Sequence, residues 1–171
     1  MSVANVKSGL RGHFYGILFR NGLRERRLRR MGNEWKVCTL DQAKRLVGLG
    51  VVLDTSQFWV CAGGHWQLGM GKGFLNELGP AIIPAPDVAE LGVLLPQFIT
   101  VGMNEHGGIK IPDMYFVKFS HGKGIFFCNY GKIAGNNTIC EFDGETEAQA
   151  RCAALIWLIE SGHLKAEDIK L

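Results

Sequence analysis

The stretch Gly63-Gly64-His65-Trp66-Gln67-Leu68-Gly69-Met70-Gly71-Lys72-Gly73-Phe74 sets glycines around a lysine. Successive free amides with a cation nearby form the kind of nest that holds an anion. A nucleotide-binding P-loop needs GxxxxGK followed by Ser or Thr, whose hydroxyl takes Mg²⁺. Here Lys72 is followed by Gly73. The dinucleotide fingerprint fails as well, because the spacing of Gly69, Gly71 and Gly73 is wrong and "FLNEL" meets Gly79-Pro80 too soon for the helix that should follow. What remains is a glycine loop whose amides and Lys72 suit a phosphate. Trp59 and Trp66, on one hairpin, would offer a base a platform to stack on. The bland alternatives are a plain loop and two core tryptophans.

Other reactive residue types do not group. His13, His65, His106, His121 and His163 are scattered, and none sits at the tight spacing of a structural zinc site, so no metal is expected. Cys61 and His65 are the nearest approach to a nucleophile and its base, a hydrolase reading that ranks last because Cys61 alternates with core residues in a strand. Glu141, Asp143, Glu145 and Glu147 look like paired acids, but acids at a helix start are stabilised by its dipole. No catalytic residue and no cofactor is assigned, and the chain reads as a non-enzymatic binder.

The formal charge of +3 conceals an asymmetry. Residues 1–30 carry eight Lys or Arg against one Glu, and the other 141 carry eleven against fifteen Asp or Glu. Any grip on nucleic acid therefore rests on "NGLRERRLRR", with Arg24, Arg26, Arg27, Arg29 and Arg30. Five cysteines without close spacing, and no apolar leader, suggest a reduced cytoplasmic setting. No apolar run is long enough for a membrane span, and the Asn136-Asn137-Thr138 sequon then has no glycosylating compartment.

The elements that must position these residues follow from caps and periodicity. Phe14–Phe19 gives a weak strand. In "CTLDQAKRLVGLG" Thr39 caps a helix, Gln42 completes a capping box, Leu40, Ala43, Leu46 and Val47 share a face, and Gly50 ends it. Phe58–Ala62, the Gly63-Gly64 turn and His65–Leu68 predict a hairpin. A short helix over "VAELGVLLP" lies between prolines, with Val88, Leu91, Leu94 and Leu95 on one face. Strands are predicted at Phe98–Val101, Met114–Phe119, Ile125–Tyr130 and Thr138–Phe142, with a turn at His121–Gly124. The last helix has Thr146 and Gln149 at capping-box spacing, Gly162 as its stop, and a buried face of Ala148, Cys152, Leu155, Ile156 and Ile159. Together these predict an α+β fold: an antiparallel sheet of about five to six strands with about three helices, the C-terminal one longest. Residues 1–30 read as a basic extension and 31–171 as one domain.

The order "CTLDQAKRLVGLGV", "QFWV", "IPAPDVAELGVLLP", a hairpin and "EAQARCAALIWLIESGHL" resembles a family of small uncharacterised proteins of phages and prophage-like elements of gut bacteria, over residues of about 36–164. The resemblance implies a mobile-element setting, the host cell cytoplasm, and an α+β fold, and transfers no catalytic motif. Residues 1–35 lie outside it. Two functions follow: sequestration of a small anionic ligand, such as a nucleotide signal of host defence, or an interaction module that grips nucleic acid or a host protein through the arginines. Homo-oligomers are compatible with either.

Overall fold

The computed structural model describes residues 32–70, 81–133 and 137–170. The strand at Phe14–Phe19 and the arginine segment lie outside the described residues. From Asn33 onward the chain forms one compact unit.

A 3₁₀ turn at Glu34–Lys36 leads to α1, Leu40–Gly48. Thr39 Oγ1 accepts from the Gln42 amide, and Gln42 Oε1 accepts in return from the Thr39 amide. Two of the amides at this helix start are thus satisfied by side chains. Gly50 (φ +84°) provides the left-handed residue at the other end, where its amide donates to Val47 O and that of Val51 to Leu46 O. Ala43 and Leu46 are buried; Val47, expected on the same face, is 47% exposed. α2, Val88–Leu94, opens with Asp87 and Glu90 in a second capping box and buries Leu91 and Leu94. It halts at Leu95, ahead of Pro96, which cannot supply the next amide. α3, Glu147–Glu160, is the longest helix.

Seven strands form two antiparallel sheets among the described residues. β1 (Gln57–Ala62) lies between β2 (His65–Met70) and β3 (Ile82–Pro84). β4 (Phe98–His106), β5 (Ile109–Gly122), β6 (Ile125–Gly131) and β7 (Thr138–Gly144) follow one another in a meander. The α+β class and the long C-terminal helix are as read from the sequence, while the single sheet expected there is divided. β3 escapes sequence reading because three residues ending in proline carry no period; proline is tolerated at the outer position it takes beside β1.

α3 lies at the centre, packed by β6 and β7 on one side and by α1 and α2 on the other. Its buried set, Ala148, Ala150, Cys152, Ala154, Leu155 and Leu158, therefore covers more than one face, and Ile156 and Ile159 are only half-buried. The small residues let neighbours approach closely on both sides. Polar ends of large aromatics tie the layers: the Tyr130 hydroxyl donates to Pro96 O at 2.7 Å, and the Trp59 indole donates to Cys38 O at 3.2 Å. No helix among the described residues is long and apolar enough to cross a membrane.

Candidate functional site

The hairpin β1–β2 positions the candidate platform. Its turn, Gly63 (φ +58°) and Gly64 (φ +82°), has the mirror-image conformation that suits strand twist and that residues with a Cβ resist. The register pairs Trp59 with Leu68 and Cys61 with Trp66. Directly paired residues project to the same side, so Trp59 and Trp66 share one face, as a stacking platform requires. That face is turned toward the core. Trp59 is 8% exposed and its one donor is taken by Cys38 O, so it is a core anchor with no ring face left for a ligand.

Trp66 is different. It is half-buried, packs against the core with one part, and carries the Lys44 ammonium of α1 over its ring at 5.2 Å from the centroid. Quadrupole attraction of a cation to an indole is worth about 0.5–1 kcal/mol at an exposed site. The pairing places a positive charge beside an aromatic face, the two features that a phosphate and a base need from a protein. Lys44 was not legible as a site residue, because its meeting with Trp66 depends on how α1 packs on the hairpin.

Gly69 falls inside β2, opposite Phe58, instead of in a loop. An added Cβ would meet Val60 Cγ2 at 3.2 Å, so the glycine serves packing within the sheet and is removed from the proposed nest. Gly71, Lys72 and Gly73 lie outside the described residues, as do Arg24, Arg26, Arg27, Arg29 and Arg30. β2 delivers the chain to Met70, directly before that glycine stretch.

The Cys61–His65 reading fails on the pleat. Cys61 pairs with Trp66 and Ala62 with His65, so thiol and imidazole project to opposite faces of the hairpin. The remaining described cysteines are structural in character. Burial pushes the Cys128 thiol up to about 12, and the Cys152 thiol is also raised, first by its hydrogen bond with Cys38 and then by burial. Neutral thiols of this kind are poor nucleophiles. No cluster of three or more His, Cys, Asp or Glu among the described residues could hold a metal ion. The acids near α3 have structural partners: Glu147 binds Arg151, and Glu141 accepts from Asn129 Nδ2 at 3.3 Å.

No family model, curated protein or solved structure matches the chain.

Proposed function

We propose that the protein is a non-enzymatic binding protein that holds a small anionic ligand of the nucleotide type. The observation that supports this most is the Lys44 ammonium over the half-buried Trp66 ring. A base stacking on Trp66 would displace the ammonium from the ring and leave it free to pair with the ligand's phosphate, with Lys72 and the amides of Gly71 and Gly73 following in the same chain. Binding without turnover fits the resemblance to phage and mobile-element proteins, where sequestering a nucleotide signal of host defence would be useful to the element.

The test is a fluorescence titration of the full chain with mono-, di- and cyclic nucleotides. Stacking of one base on an aromatic side chain is worth about 1–3 kcal/mol, so Trp66→Ala should weaken binding by about tenfold or more. Lys44→Ala should weaken phosphate-bearing ligands while leaving nucleosides unchanged. Equal affinity in wild type and both variants would remove the site.

A further inference from the structure

β7 is the last strand of its sheet, paired only with β6 among the described residues. Among the described residues no strand takes the other side of its backbone. Beneath that edge α3 presents Ala153, Ile156, Trp157 and Glu160, at spacings of three, one and three, which form one stripe of the helix. Phe142 of β7 lies against Trp157, with ring centroids 5.9 Å apart, and closes the wall under the strand. α1 supplies the opposite wall, held at its ends by Gln42 Nε2 donating to Gln149 O at 2.9 Å and by the Arg45–Glu160 ion pair at 2.6 Å. The groove between has a volume of about 410 Å³. Its floor is apolar and aromatic, and Phe142 brings β7 to its rim.

The charges say what would fit. β7 carries Glu141 and Asp143, both exposed, and no Lys or Arg. Across the groove Asp41 is exposed and makes no ion pair among the described residues. Glu141 and Asp143 alternate with Phe142, so the acids lie on the outer face of the sheet and the phenylalanine on the groove side. An added strand would present its own side chains with the same period, apolar ones over Ile156 and Trp157 and basic ones beside Glu141 and Asp143.

We infer that this groove is a docking site for an extended partner peptide in which apolar and basic residues alternate, bound by adding a strand to the outer edge of β7. Main-chain hydrogen bonds supply affinity in this mode and alternate side chains supply specificity. The site uses residues other than Lys44 and Trp66 and stands independently of the nucleotide reading. Charged residues on an edge strand also guard against edge-to-edge aggregation. If that is their whole role, no peptide binds.

The probe is a fluorescently labelled, acetylated and amidated heptapeptide, Lys-Val-Lys-Ile-Lys-Val-Lys, followed by anisotropy with the full chain. Saturable 1:1 binding is expected. Binding should fall by about tenfold with a same-composition peptide that groups its lysines, since half its side chains would then meet the wrong face. Ala153→Arg should abolish binding by filling the floor, and Asp143→Lys should weaken it by about tenfold by setting a cation beside the peptide's lysines. Both substitutions are at sites outside the buried core, and unchanged circular dichroism checks that each variant is folded. Trp66-dependent nucleotide binding should persist in both. Equal affinity for the two peptides, or indifference to Ala153→Arg in a folded protein, overturns the proposal. Self-association of the wild-type chain that Ala153→Arg removes would also overturn it, by making a second copy the occupant.

Discussion

Arg151 brings three elements together. Its Nε and Nη2 donate to Glu147 Oε1, its Nη1 donates to Val88 O at 3.2 Å, and its guanidinium carbon stands 4.1 Å from the centre of the Phe119 ring. One planar cation thus joins α3 to α2 and to β5, and Gly92 leaves the space it occupies. The sequence places Arg151 and Glu147 four apart on a helix, but the two contacts beyond the helix are invisible there. Buried thiols make a sharper statement at this scale. Cys128 titrates near 9 when unperturbed and is held at about 12 by burial, and burial also raises Tyr130. Between those pH values the unfolded chain has released a proton that the folded chain keeps. This contribution to stability is therefore complete below about pH 9 and lost as pH rises toward 12. Melting temperature should fall across that window, and Cys128→Ala should make the fall shallower, as thermal melts from pH 8 to 11 would record. A slope unaltered by Cys128→Ala would mean that its burial is not the cause.

At the scale of elements, what the sequence makes legible is what neighbours in the chain decide. The capping box of α1, its C-terminal glycine, the Gly63-Gly64 turn and the stop at Gly162 are all contained within a few residues, and all are present. Thr146 also caps α3, but the Gln149 side chain reaches one residue further back, to the Glu145 amide, and not to Thr146. Long-range pairing is less legible. The strand expected at Phe98–Val101 continues to His106, through a register shift between Thr100 and Met103, and its partner runs from Ile109 to Gly122 around a Gly107-Gly108 turn. Glycine, proline and charged residues in that hairpin hide it from propensity. The junction between β7 and α3 yields a contrast. A Cβ at Gly144 would lie 2.7 Å from Gln149 Cβ and 2.9 Å from the Ala150 nitrogen, backbone that cannot give way, whereas one at Gly48 meets nothing within 4 Å. Gly144→Ala should lose about 1–3 kcal/mol by overpacking. Gly48→Ala should gain about 0.5–1 kcal/mol by helix propensity. Urea unfolding of both variants measures the pair, and a destabilised Gly48→Ala or a neutral Gly144→Ala would show the packing there to be otherwise.

For the whole molecule, composition and caps were enough to reach the α+β class, yet the candidate site was legible only by half. Trp66 and the glycine loop were visible as residue types. The demotion of Trp59 and Gly69 to packing roles, and the arrival of Lys44, required the register of β1 on β2 and the seat of α1. The groove beside β7 was wholly hidden, since its walls come from three elements, and Arg45 and Glu160, paired across it, are 115 residues apart. Two charged features compete to explain what the molecule binds: the site around Trp66 and Lys44, and the arginines that end at Arg30. They differ in their response to salt. A segment that neutralises many phosphates on duplex DNA loses affinity with a log–log slope of about −0.9 per phosphate, while one nucleotide in a pocket makes few charge contacts. Titrations of a nucleotide and of a duplex oligonucleotide at two salt concentrations decide between them, run on the wild type, on Lys44→Ala with Trp66→Ala, and on Arg26, Arg27, Arg29 and Arg30 replaced by alanine. The predicted result is nucleotide binding with a shallow salt dependence, lost in the first variant and kept in the second. Steep salt-dependent binding of the duplex that only the arginine variant abolishes, with no nucleotide bound at either salt, would contradict it.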